Sequence, residues 1–207
     1  MARRKRSIHL AAIIVAVGLV GAACGQNSHG QRLSGEVGPV NAAATQEPSS
    51  TANPVADVDW TTYSYDRSQG NDTGTTVTLA VPKWTETTIN SLHDYRSGQL
   101  LFRLDFRRPE GFSIGNWENE ARVFASANPG YKKVGLHSID CPSGAIDCAD
   151  WEFTFPRDGV TRHVFDRGIV VNDSLGFAVY VSGPAAQLAA VRRMFQDANQ
   201  TIKFSVT

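Results

Sequence analysis

The chain has 207 residues, with 20 Lys and Arg balancing 20 Asp and Glu, 42% hydrophobic residues and three cysteines. That is enough for one domain with a buried core, and it leaves no basic excess for gripping a nucleic-acid backbone. Beyond the first two dozen residues, no stretch is apolar over the length that crossing a bilayer requires.

The first seven residues, MARRKRS, carry four positive charges, and residues 8–23 follow as an apolar run broken only by His9 and two glycines. This is the basic-then-apolar layout of a secretory signal. The apolar run is about 16 residues, short of the roughly 20 that a spanning helix needs. It ends in VGAACGQ, which places Cys24 where a bacterial lipoprotein signal is cut, behind Ala22 and Ala23. Gly21 stands where an aliphatic residue is usual, so ordinary secretion and an uncleaved anchor stay open beside the lipoprotein reading. The expectation is a signal peptide over residues 1–23 and a lipidated Cys24. Its paired acyl chains would hold the protein to the extracytoplasmic face of the cell membrane. Removing residues 1–23 takes away four basic and no acidic residues, leaving 16 basic against 20 acidic, a net −4. A mildly acidic mature chain excludes nucleic acid as the expected partner.

Residues 24–58 are rich in Gly, Ala, Ser, Thr, Asn, Gln and Pro, as in NAAATQEPSSTANP. Such a segment buries too little apolar surface to offset its ordering entropy. It reads as a flexible tether that holds a domain roughly 30 Å from its anchor; a packed irregular arm is the alternative. Residues 59–207 then form one domain, with no internal repeat.

Within the domain, Val77, Leu79 and Val81 alternate before Pro82 ends a first clear strand. Residues 99–107 alternate again, with Leu100, Phe102, Leu104 and Phe106 facing in and Arg103, Asp105 and Arg107 facing out. GFSIG, residues 111–115, fits the G-x-S-x-G nucleophile pattern at Ser113. A true elbow leaves a central parallel strand directly, whereas Arg108, Pro109 and Glu110 intervene here. Ser113 reads better as the entry to a helix over 116–128, whose Trp117, Ala121 and Phe124 share one face. A small serine hydrolase using Ser113 with His163 as base is kept as the alternative.

YKKVGLHSID follows as a less regular strand, then CPSGAIDC. With Cys24 lipidated, Cys141 and Cys148 remain as an even pair outside the membrane. A disulfide closing so short a ring contributes about 2–3 kcal/mol. His137 with these two cysteines matches no common zinc spacing, so no metal is expected. Trp151, Phe153 and Phe155 alternate with Glu152 and Thr154; TRHVFDRGIVV is a further strand; Phe177, Val179 and Val181 mark another. Asp150 reads as accepting a backbone bond at a strand start. His137 and His163 are strand histidines that could meet across neighbouring strands, and Trp117 and Trp151 read as core. Residues 185–204 have helical period, with Leu188, Val191, Phe195, Ala198 and Ile202 inward and Arg192, Arg193, Gln196 and Asn199 on the other side. Pro184 suits the start of that helix. Strands, a helix, four further strands and a helix predict an α+β domain: one mostly antiparallel sheet with the helices packed on it. No P-loop, dinucleotide fingerprint or HExxH is present, and no cofactor is expected.

ADWEFTF (149–155), RHVFDRG within residues 161–171 and GFAVYVS (176–182) resemble the extracytoplasmic domain at the C-terminus of actinobacterial serine/threonine protein kinases and of LpqN-type lipoproteins. VTLAVPKW (77–84), NWENEARVF (116–124) and PGYKKV (129–134) fall in the same order, so the resemblance covers about residues 60–205. Trp117 and Glu120 match the helix that this family carries after its third strand. In this sequence a tether stands where those kinases have a membrane span, and the cysteine pair is a departure. The resemblance implies a PsbP-like α/β/α sandwich outside the membrane, with a binding or sensory role and no catalysis. The expected function is that of a lipid-anchored envelope protein binding a small molecule or an envelope protein, with a purely structural accessory subunit as a further alternative.

Overall fold

The structure, a computed structural model, describes residues 58–71, 73–107 and 114–206. The signal peptide, Cys24, the tether up to residue 57 and Ser113 lie outside the described residues. The elements are β1 (Trp60–Tyr65), β2 (Thr75–Pro82), β3 (Thr85–Ile89), β4 (Leu92–Ser97), β5 (Leu100–Arg107), α1 (Ile114–Ala127), β6 (Lys132–Ser138), β7 (Asp147–Arg157), β8 (Val160–Asn172), β9 (Leu175–Pro184), α2 (Leu188–Asn199) and β10 (Lys203–Val206). The fold is α+β, and every strand pairing among the described residues is antiparallel.

Two sheets form where one was expected. The larger runs β3-β4-β5-β9-β8-β7-β6, and the smaller runs β1-β2-β10. The buried face of β2 (Val77, Leu79, Val81) is spent on the larger sheet, packing over Phe102 and Leu104 in one core. The helical period over residues 185–204 also overran. Helix α2 stops at Asn199, and the chain then extends into β10 against β2. Thr201 marks the change: its hydroxyl donates to Ala198 O at 2.7 Å and accepts from the Ala80 amide at 2.8 Å. Strand β3 showed no alternation because it is an edge strand exposed at every position.

The large sheet has two differently covered sides. On one, α2 and the small sheet bury Phe165, Ile169, Phe177, Val179 and Val181. On the other, α1 lays Trp117 and Ala121 over Trp151, Phe153, Phe155 and Val164. The one-residue alternation of β7, β8 and β9 assigns neighbours to opposite sides. Gly168 makes the α1 contact possible, since a Cβ there would come within 2.7 Å of the Trp117 indole. Trp151 meets Trp117 edge-on at 5.5 Å and donates its indole N–H to the Tyr131 hydroxyl at 3.1 Å. Both tryptophans are core residues.

Candidate functional site

The register of β7 on β8 sets Asp150 directly opposite Arg167, and Glu152 one step diagonally from His163. All four project to the α2 side. Arg167 is bidentate on Asp150, with Nε to Oδ1 at 2.7 Å and Nη2 to Oδ2 at 2.8 Å. Asp150 therefore does not act as a backbone acceptor at a strand start; it is four residues into β7 and orients an arginine. His163 Nε2 lies 2.7 Å from Glu152 Oε1, and Arg192 of α2 reaches the same oxygen at 3.4 Å. The two guanidinium groups also sit on aromatic rings, Arg167 over Phe195 and Arg192 over Phe165, each 5.2 Å from the centroid. Phe165 and Phe195 stack on one another at 5.4 Å. Both arginines are thus held by a carboxylate at the head and a ring beneath.

Beside this array is an open recess of about 200 Å³ lined by Arg167, Phe195, Gln196, Asn199 and Gln200. Asn199 was expected on the outer side of α2, but it is 8% exposed. Its Nδ2 donates to Phe195 O at 2.7 Å, while Oδ1 is buried without a partner. Its polarity had set Asn199 with Arg192 and Gln196, although at about 100° per residue it falls about 20° from Leu188 and about 40° from Phe195, at the edge of the inward face. The seat of α2 on β8 decides that its polar end is enclosed.

His137 and His163, which could have met across neighbouring strands, do not meet. Strand β7 runs between their strands, His137 pairs with Asp150 across the β6–β7 ladder, and its side chain is exposed. His163 faces α2, while α1, which follows Ser113 in the chain, packs on the opposite side of the sheet. Cys141 and Cys148 are joined, with Cα atoms 5.4 Å apart, and Cys148 is buried at the start of β7. The bridge closes the β6–β7 connection, where Ile139 N also donates to Cys148 O at 3.1 Å. No group of three or more His, Cys, Asp or Glu side chains that could hold a metal occurs among the described residues.

Two further polar nodes escaped the sequence pattern. On the α1 side, Asp94 is shared by Arg96 (2.7 Å) and Arg103, the latter bidentate at 2.5 and 2.9 Å. Burial opposes ionisation of Asp94, yet the two guanidinium groups hold its carboxyl below its ordinary value. Between the two sheets, the Tyr63 hydroxyl lies 3.1 Å from His93 Nε2, and His93 Nδ1 lies 2.8 Å from Glu86 Oε1. Burial, with the Glu86 charge, pushes the Tyr63 hydroxyl well above its ordinary value.

The comparisons with known proteins bear on the fold. Residues 78–204 match the model of the serine/threonine kinase C-terminal domain. The chain belongs to that family. No curated protein matches it in sequence. Among solved structures it is similar to LpqN, involved in cell envelope biogenesis of Mycobacterium tuberculosis. The TM-score there is 0.50 at 10% identity, covering 73% of this chain and 95% of that one. It is also similar to the cyanobacterial PsbP protein CyanoP of Synechocystis, with a TM-score of 0.52 at 13% identity, covering 78% of this chain and all of that one (100%). At such identities the likeness shows the fold alone. The α2-side pairs of this family member fall within the segments that carried the resemblance. Asp150 and Glu152 come from ADWEF, and His163 and Arg167 from RHVFDRG.

Proposed function

We propose that this family member is a lipid-anchored accessory protein of the cell envelope whose domain binds a ligand or partner on the α2 side without catalysing a reaction. In this reading residues 1–23 are the signal, Cys24 carries the lipid, residues 24–58 are the tether and residues 59–207 the binding domain. Anchoring confines the domain to the membrane surface and raises its concentration near partners held there. The observation that carries the reading is the array of Asp150–Arg167 and Glu152–His163–Arg192 beside an open recess. Its charged heads are held in place before any encounter, which lowers the ordering cost of binding. His163 is engaged by Glu152 and is separated by the sheet from the side on which α1 packs, so the geometry gives no support to its serving Ser113.

The test is to purify the protein gently from its own membranes and weigh it by native mass spectrometry, beside the Arg167→Ala variant. A co-purifying partner or small molecule that is weakened in the variant supports binding on the α2 side. Recovery of lipid-modified protein alone from both samples overturns it, and a chain carrying no lipid mass overturns the anchor.

A further inference from the structure

We propose that the end of the domain at which the chain enters docks onto a bilayer of anionic phospholipid headgroups, so that the strands stand away from the membrane and the α2 side opens laterally. The inference rests on the lipid-anchor reading above and adds how the anchored domain is oriented. It begins with where the chain enters. Asp59 O accepts from Lys83 N at 2.8 Å and Trp60 pairs with Pro82, so the entry lies beside the β2–β3 connection. The ladders carry that level across the large sheet: Thr85 pairs with Arg96, Ser97 with Leu100, Leu101 with Ser182, Pro184 with Arg162, and Val160 with Arg157. The entry, the β4–β5 turn and the β7–β8 turn therefore share one end of the domain. A pull from an anchored Cys24 acts on that end.

The same end is basic and open to solvent. The side chains of Lys83, Arg96 and Arg157 are 52%, 56% and 67% exposed. Lys132, opposite Thr154 at this level of β6, is exposed as well. Arg162 reaches from β8 across β9, and its Nη2 donates to Ser182 Oγ at 3.0 Å and Gln99 O at 2.8 Å, both neutral oxygens. Burial lowers its guanidinium from the ordinary value, and the nearby charges of Arg157 and Arg96 lower it further. A phosphate set among these three arginines relieves that crowding. Each acid of this end already sits beside a base: Asp59 on Lys83, Asp158 on Arg157, Asp94 on Arg96 and Arg103, and Glu86 on His93. The opposite end reverses the balance, with Asp66, Asp140, Asp147 and Asp173 against Arg67 and Arg107. An anionic surface attracts one end and repels the other. Trp60 and Trp84 flank the entry, both only partly buried, and indoles settle at headgroup level. With the tether holding the domain roughly 30 Å from its anchor, a weak and salt-sensitive contact is enough to set the orientation.

The experiment reconstitutes the full-length protein, purified from its own membranes, into vesicles of phosphatidylcholine alone or mixed with phosphatidylglycerol. A fluorophore is placed on Ser97→Cys in the β4–β5 turn or on Ser174→Cys at the opposite end, both exposed positions, and is quenched by a lipid carrying a nitroxide on its headgroup. The expected result is strong quenching at position 97 and little at 174 with phosphatidylglycerol present. The contrast disappears in phosphatidylcholine alone and at high salt. Arg157→Gln and Arg162→Gln each lower the docking equilibrium about fivefold, the effect of one basic residue at an anionic surface. Should Arg162→Gln fail to fold, the exposed Arg157 carries the test. Equal quenching at the two ends, quenching at 97 that ignores phosphatidylglycerol and salt, or stronger quenching at 174 overturns the proposal. Quenching between the labels of two copies in place of quenching by lipid assigns this end to a second copy and also overturns it. Loss of the anchor reads differently, since a chain without it is not retained by phosphatidylcholine vesicles at all.

Discussion

Strands β7 and β8 present two different surfaces from one stretch of sequence. Toward α1 they offer Trp151, Phe153, Phe155 and Val164, an aromatic bed closed by Trp117 and made possible by Gly168. Toward α2 they offer Asp150, Glu152, His163 and Arg167, paired polar side chains beside an open recess. ADWEF and RHVFDRG therefore each contain two interleaved sets of residues, one apolar and packed under α1 and one polar and turned toward α2, separated by the period-two alternation of a strand. A motif of this kind marks a family without revealing which of its letters touch anything outside the molecule.

The comparison breaks first if the α1 side is not the structural one. Phe153 is 1% exposed and its ring contacts Phe124, Tyr131, Trp151 and Phe155. Phe153→Ala is expected to lose about 3–5 kcal/mol in denaturant unfolding. A loss below ~1 kcal/mol would mean that the aromatic bed does not hold α1. Gly168→Ala is the complementary change, adding a methyl group where the Trp117 indole already lies. We expect about 1–3 kcal/mol of destabilisation, read as a lowered Tm with a changed tryptophan near-UV signal.

The charged part of the α1 side sharpens the contrast. The folded-state value of Asp94 is depressed, so its stabilising contribution is complete above the unfolded aspartate value of ~3.9 and is lost as pH falls below that toward the folded value. Asp94→Asn should therefore destabilise at neutral pH and flatten the stability loss below about pH 4. An unchanged acid limb in Asp94→Asn would remove this carboxylate from the structural set. The smallest stability effect belongs to the α2 side. Arg192 is half exposed, and its contact with Glu152 is long. Arg192→Ala should change unfolding free energy by less than about 1 kcal/mol while weakening capture of whatever the recess side binds. A large stability loss without a binding change would reassign that pair to structure.

Much of the architecture was legible because alternation survives wherever one strand side is fully buried. Leu100 to Phe106 and Trp151 to Phe155 showed it plainly. Strand β3, exposed throughout, showed none. Strand β4 hid its character because His93 and Asp94 are buried polar residues, satisfied by partners on other strands. Asn199 misled for a related reason. Its angle on the helix lies close to those of the inward Leu188 and Phe195, and it was its polarity that assigned it to the outer side.

By itself the sequence determined the strands with one buried side, the two amphipathic helices, the family resemblance and the even cysteine pair, since each is a local pattern set by backbone period or composition. Only the tertiary structure decided that β2 joins β10 in a second sheet, that Asp150 meets Arg167 and Glu152 meets His163, and that Asn199 ends enclosed. Those outcomes depend on the register and stacking of segments far apart in the chain, and no local period encodes which strand will lie beside which.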